Sequence, residues 1–452
     1  MDGAFAVFDA GVEPADIRQG SLADCWLQCA LAGLAEFPEL VENLFVDSPT
    51  VSRAGVYSVR LCRSGIWRTI ILDDYFPCFA GSSGGPVYSR NHGNELWVML
   101  LEKAFAKSFG SFSAMRFGWS YEAMIDLTGS PFRTIRLHDE EILDEISSGL
   151  LWDTLVDYDT SGYLISATTP GEDIYSEQRV DEPEADFTAG IKKGPNGLVS
   201  GHAYTVLTAT ETSDGQHRLL KLRNPWGNFE WLGDWGDNSS LWTPELREEL
   251  GALAVVDDGT FWMSFDDVCK YFYSVNVSMV APWEVKRCRT HFVFPADQKQ
   301  QGSHCVPPMY VLSVTRTSKV FLSLHQQDIR EDQAPPYVDM AITILRVLPD
   351  YTFDLVASSG ACVERQVQVE ATLTEGRYVV VGCTTGSGLV QPDSIRDTSS
   401  QRLLDETRSS LTAPARAAFA EVFSRLDEDL DGVREIFWFV YFSSLLILFT
   451  WC

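Results

Sequence analysis

Gln19-Gly20-Ser21-Leu22-Ala23-Asp24-Cys25-Trp26 carries a cysteine across the point where a loop turns into an apolar run, Trp26 to Phe37. That run reads as a buried helix, so Cys25 stands at its amino end. The positive end of the helix dipole and the N–H groups of the first turn favour thiolate over thiol there, which lowers the pKa and supplies a nucleophile at neutral pH. Gln19 lies a few residues upstream, where its amide can donate to an oxygen that becomes negative during attack on a carbonyl. Taken alone, a cysteine in an apolar helix is more often a small core residue, and Cys29, one turn later, is read that way.

Two further segments change the reading. In Gly197-Leu198-Val199-Ser200-Gly201-His202-Ala203-Tyr204-Thr205-Val206, glycine turns lead into an alternating strand with His202 near its start. In Arg223-Asn224-Pro225-Trp226-Gly227, the end of a strand delivers Asn224, whose amide oxygen can accept from one imidazole nitrogen and fix the tautomer. Pro225 stops the strand, and Trp226 can roof the pair. A cysteine nucleophile, a histidine base and an asparagine orienter form a thiol-protease constellation: the base takes the thiol proton and later protonates the leaving amine.

With these segments on the page, the chain resembles the calpains, which are calcium-dependent papain-like cysteine proteases. Ile71-Leu72-Asp73-Asp74-Tyr75-Phe76-Pro77, the run Asn94 to Lys107, and Gly259-Thr260-Phe261-Trp262-Met263-Ser264-Phe265 are similar to the core of that family. The resemblance makes Cys25 the nucleophile, His202 the base, Asn224 the orienting residue, Gln19 an oxyanion-hole donor, and Trp226 a cleft residue whose ring moves on closure. It also implies calcium. Asp16 and Glu95 match the first core site of the family, with backbone near Asp9 and Gly11; Glu230, Asp237 and Asp258 match the second, with backbone near Val256. Thr260 stands where the family is expected to place another carboxylate, which weakens the second site by about tenfold or more. Pro14 and the short lead-in Met1 to Asp9 are further departures.

Composition fits this reading. A 452-residue chain with 45% apolar residues allows two to four domains with ample cores. The net charge of -28 argues against nucleic acid and anionic lipid as partners. Ten cysteines without paired or CxxC spacing read as reduced thiols, with no disulfide framework and no zinc site. No secretory leader pattern opens the chain, so the expected compartment is the cytoplasm.

The expected fold is α+β. A two-lobed papain-like core is formed by residues 1–130, helix-rich and carrying Cys25, and by residues 131–282, carrying His202 and Asn224. Strands dominate the second part, including Leu150 to Val156, Ala203 to Thr208 and Leu219 to Leu222. Period-two runs at Tyr310 to Thr315, Val320 to Leu324, Val338 to Val347 and Tyr378 to Gly382 predict an antiparallel β-sandwich over 283–395. Residues 396–452 are expected to be a polar helical segment with an apolar tail. Within it Asp427, Asp429, Asp431 and Gly432 open an EF-hand loop that fails at position twelve, where Trp438 replaces the bidentate glutamate. The uncharged run Ile436 to Cys452 is at the short limit for a membrane span and reads as a tail anchor, a packed helix or a segment foreign to the natural product.

The expected function is a calcium-activated intracellular endopeptidase that makes limited cuts in protein substrates through a thioester; the sequence specifies no regulatory subunit. The alternatives are a catalytically silent calcium-binding scaffold, a membrane-anchored calcium-binding adaptor and a transglutaminase-like acyltransferase, which normally orients its base with aspartate.

Overall fold

The computed structural model describes residues 5–9, 11–46, 50–80, 85–90, 93–171, 196–253, 256, 258–293, 309–331, 334–384, 433–442 and 449–451. It divides into two compact units: Met1–Cys62 with Trp67–Ala281, and Arg63–Ile66 with Pro282–Cys452.

In the first unit, helix α1 (Cys25–Ala35) is buried on every side. Its residues are almost all apolar, and no proline interrupts them; the chain turns at Glu36-Phe37 into the short α2 (Pro38–Glu42), with proline at its first position. Helices α3 (Trp97–Phe109) and α4 (Ser120–Thr128) supply much of the surrounding core, and both end on a left-handed glycine, Gly110 and Gly129. Trp26 meets Phe105 and Phe109 edge-on at 6.0 and 6.3 Å, and its indole N–H donates to the Met115 carbonyl at 2.9 Å. A hairpin of β1 (Val56–Arg63) and β2 (Ile66–Asp73) flanks this group.

The same unit holds an antiparallel sheet in the order β3-β8-β4-β5-β6-β7: β3 (Phe132–Arg136), β4 (Leu164–Thr168), β5 (Ala203–Glu211), β6 (Arg218–Arg223), β7 (Thr260–Ser264) and β8 (Ser274–Ser278). Helices α5 (Glu140–Ser148) and α6 (Leu150–Thr160) precede β4, while α7 (Pro244–Glu249) and α8 (Phe265–Tyr271) flank β7. The strand expected at Leu150 to Val156 is therefore a helix. Its buried residues are Leu151, Trp152, Leu155 and Tyr158, a spacing of three to four that short apolar runs do not reveal before packing selects one face. Thr205 of β5 donates to the Cys29 carbonyl at 2.9 Å and lies 3.6 Å from the Cys29 sulfur, which fixes α1 against the sheet.

The second unit contains two antiparallel sheets. One has the order β13-β12-β15-β10-β17 and the other β14-β11-β16-β9. The strands are β9 (Glu284–Val293), β10 (Met309–Val314), β11 (Ser318–His325), β12 (Ala341–Val347), β13 (Phe353–Ser358), β14 (Gln366–Leu373), β15 (Gly376–Cys383), β16 (Val433–Phe442) and β17 (Phe449–Trp451). Leu312, Ile342, Ile344 and Val380 from the first sheet share one apolar cluster with Val320, Leu322, Val367 and Val369 from the second.

One expectation for the C-terminal segment needs correction. Residues 433–442 and 449–451 are strands, not helix: β16 pairs with both β9 and β11, and β17 pairs with β10. A run of aromatic and β-branched residues such as Ile436-Phe437-Trp438-Phe439-Val440-Tyr441 suits a pleated surface better than a helix. The EF-hand-like loop at Asp427 to Gly432 lies outside the described residues. Among the described residues no helix is long and apolar enough to cross a membrane.

His325 is buried in this unit, with Nε2 2.8 Å from Ser323 Oγ. Burial, then the charges of Arg365 and Arg287, push its pKa down to about 3. The neutral ring is thus favoured in the fold, and its stabilising effect is present above the ordinary histidine pKa of about 6.5 and lost as pH falls toward 3. Urea unfolding at pH 7 and pH 5 should show a loss of stability on acidification that is smaller in His325→Gln than in wild type.

Candidate active site

The amino end of α1 lies at the floor of the candidate site. Asp24 is the residue before the helix and Cys25 its first residue, buried beneath the surface. The loop leading to it is tightly enclosed. A Cβ on Gly20 would stand 1.8 Å from the carbonyl oxygen of Tyr88, so only glycine fits there.

His202 follows Gly201 and precedes β5. Its backbone N–H donates to Thr169 Oγ1 at 2.9 Å, and its carbonyl accepts from the Thr169 N–H at 2.9 Å. The imidazole Nε2 lies 2.9 Å from Asn224 Oδ1. The orientation of that amide is fixed twice more: Oδ1 accepts from the Trp226 backbone N–H at 3.0 Å, and Nδ2 donates to the Phe229 carbonyl at 3.1 Å. An amide oxygen only accepts, so Nε2 carries the proton and Nδ1 is the basic nitrogen. Gly259, at φ +85°, lets the backbone pass beneath: its carbonyl accepts from the Asn224 N–H at 2.7 Å, and a side chain there would meet the Asn224 carbonyl at 2.8 Å.

The Trp226 ring lies 4.3 Å from the His202 ring, centroid to centroid, and its indole N–H donates to Gln19 Oε1 at 2.6 Å. Gln19 Nε2 donates to the Leu22 carbonyl at 2.6 Å. A chain of contacts therefore runs from the Cys25 loop through Gln19 and Trp226 to Asn224 and His202. Tyr204 adds a residue that the sequence did not single out. Its ring stands 5.1 Å edge-on to His202, and its hydroxyl accepts from the Val199 N–H at 2.9 Å. Burial raises the Tyr204 pKa, the Val199 bond opposes this, and the charge of Cys25 adds to the rise. Thr169 was also missed; a threonine in an ordinary loop carries no signal for its role. Burial pushes the Cys29 thiol up to about 12, which makes it an inert core residue.

The acidic residues fall into two groups. Asp16 Oδ2 and Glu95 Oε2 both accept from the Trp97 indole N–H at 3.3 Å, while Glu95 Oε1 accepts from the Asp9 N–H at 2.8 Å. Burial first, then the Asp16 carboxyl, raises Glu95 to about 7 against the Asp9 bond. Two carboxylates held this close repel each other, and oxygen donors in such a pair fit a hard cation. In the other group, Glu230 Oε1 accepts from the Asp258 and Gly259 N–H groups at 3.0 and 2.9 Å, and Asp258 Oδ1 accepts from Thr260 N–H at 2.8 Å. The Arg223 guanidinium donates to the Asp258 carbonyl and to Thr260 Oγ1 at 3.0 and 3.3 Å, so a positive charge already borders this group. The backbone carbonyl of Asp237 accepts from Arg247 at 2.7 Å. Among the described residues no three metal-ligating side chains cluster together.

The sequence model of the calpain family of cysteine proteases matches residues 3–279. The chain belongs to the calpain family. It is 36% identical over 283 residues to the calpain-type cysteine protease DEK1 of Arabidopsis thaliana, covering 62% of this chain and 12% of that protein. It is 28% identical to calpain-5 of Mus musculus over 433 residues, 84% of this chain and 65% of that protein, and 34% identical to calpain-13 of Rattus norvegicus over 278 residues, 60% and 38%. The chain thus spans from about an eighth to about two thirds of the length of these relatives.

Replacing Gly20 by alanine should displace the loop that carries Gln19 and Cys25. A destabilisation of about 1–3 kcal/mol by denaturant titration is expected, together with slower alkylation of Cys25 by iodoacetamide.

Proposed function

We propose that the chain is a calcium-activated intracellular cysteine endopeptidase that makes limited cuts in exposed, extended segments of protein substrates. The observation that carries this reading is the His202 Nε2–Asn224 Oδ1 hydrogen bond, with Asn224 itself fixed by two further bonds. It sets the tautomer in which Nδ1 is the base.

In this mechanism His202 Nδ1 takes the proton of the Cys25 thiol, and the sulfur attacks the scissile carbonyl carbon. Gln19 Nε2, which spends one hydrogen on Leu22, turns the other toward the developing oxyanion, together with backbone N–H groups at the start of α1. The imidazolium gives its proton to the leaving amine, leaving a thioester on Cys25. Water, deprotonated by His202, then releases the acid. Trp226 covers the His202–Asn224 bond and shields it from water.

Asp16 and Glu95 are the residues that would hold calcium most readily. Bound there, calcium would supply positive charge that cancels their repulsion. Glu230 and Asp258 would hold calcium more weakly, since Thr260 adds no charge, Arg223 stands beside them, and the Asp237 side chain does not complete a cluster with them among the described residues. The free thiols of Cys29, Cys78 and Cys269 support a reducing compartment. A two-lobed papain-like core over 1–130 and 131–282, followed by a β-sandwich over 283–395, is part of the same reading.

Casein cleavage should require calcium and should vanish in Cys25→Ala. Gln19→Ala should lower kcat by about 10²-fold with little change in KM, as expected for a group acting mainly on the transition state. Because calcium must displace the proton that Glu95 holds below about pH 7, the calcium concentration for half-maximal activity should rise as pH falls from 7 to 6. Glu95→Gln should flatten that dependence while raising the calcium requirement, as read by isothermal calorimetry.

A further inference from the structure

Two carboxyls lie buried under the start of α1. Asp24, the residue before Cys25, and Glu102 of α3 are both closed to solvent, where each charge is disfavoured. Burial raises Asp24 to about 6, opposed by hydrogen bonds from Gln28 and from Glu102. Burial also raises Glu102 well above the ordinary glutamate range, and the charge of Asp24 pushes it in the same direction. Both acids are raised, so the pair keeps a proton between its two carboxyls.

This one carboxyl reaches both ends of the Gln19–Cys25 loop. At the cysteine end it meets Asp24, whose Oδ2 also accepts from Gln28 Nε2 at 2.9 Å. At the other end both Glu102 oxygens share the Ser89 N–H at 3.1 Å, and Gln28 Nε2 lies 2.6 Å from Ser89 Oγ. Ser89 belongs to a segment that runs along the loop: the Arg90 N–H donates to the Arg18 carbonyl and the Ser21 N–H to the Val87 carbonyl, both at 2.9 Å. Gly20 is pressed against Tyr88 in the same contact. The groups that face the pair are Gln28 from α1 and Ser89 from this segment; Lys103, beside Glu102 in sequence, is turned to Asp73 and the Tyr75 carbonyl.

We propose that Glu102 is a positioning residue of the nucleophile loop: as a neutral acid that donates to Asp24 and accepts from Ser89, it keeps a single negative charge beside Cys25 and holds Cys25 and Gln19 in mutual register. The proposal rests on the cysteine-protease reading. Loss of the Glu102 proton would place two like charges in a buried site, drive the carboxyls apart and oppose the Cys25 thiolate.

The test uses the full chain with calcium, as wild type, Glu102→Gln and Glu102→Ala, with Cys25→Ala as the blank for other thiols. The rates of Cys25 alkylation by iodoacetamide and of casein cleavage are followed against pH. Glutamine at 102 keeps an N–H donor that cannot ionise. Its rate relative to wild type should therefore climb toward alkaline pH, by about tenfold per pH unit once the wild-type acid begins to ionise, while Glu102→Ala should be slower than Glu102→Gln throughout. A Glu102→Gln to wild-type ratio that stays flat with pH, or equal rates for the Gln and Ala variants, overturns the proposal.

Unfolding midpoints separate this result from the protease reading. A group whose folded pKa is raised loses its stabilising effect as pH rises from its unfolded value, about 4.5 for glutamate, to its folded one. The stability of Glu102→Gln relative to wild type should therefore grow with pH over that window even in a chain that cleaves nothing, and a constant difference overturns the pair. Asp24→Asn is the second variant: without the charge that Glu102 answers, the fall in stability should end at lower pH than in wild type, and superimposable curves count against the proposal.

Discussion

Every residue of α1 is buried, and this constrains the rest of the catalytic unit. A helix that is apolar all round must be covered on all sides, so α3, α4 and the six-stranded sheet pack around one short segment. The first residue of that segment is Cys25. Cys25 is therefore held by the buried core rather than by a surface loop. Trp26 fills the space toward α3, and Cys29 lies against Thr205 of β5 on the sheet side.

Placing polar groups at the edge of such a core requires that each find a partner. Asn224 meets this requirement with three hydrogen bonds, and Gln19 with two, one of them from the Trp226 indole. The same requirement explains Asp24 and Glu102, which carry one proton between two acids. The polar groups around Cys25 thus orient one another, and the site needs little freedom in its side chains.

The two groups of acids show how similar residues acquire different character. Asp16 and Glu95 converge on one indole N–H, and burial together with the Asp16 carboxyl raises Glu95. Glu230 and Asp258 spend oxygens on backbone N–H groups beside the Arg223 guanidinium. Residue identity already set the second group apart through Thr260; local hydrogen bonding distinguishes the two further.

The sequence by itself determined what depends on local chemistry: the buried helix beginning at Cys25 and the strands around residues 203–223 and 310–324. These are legible because strong periodicity and turn residues act within a few positions. Tertiary structure decided the rest. Leu150–Thr160 became a helix because packing chose one face of an ambiguous apolar run, and the aromatic run Val433–Phe442 became a strand through its pairing with β9 and β11. Thr169 and Glu102 gained their places beside His202 and Asp24 only through contacts between distant segments. No local pattern encodes such a contact, because its energy exists only once the core has closed around it.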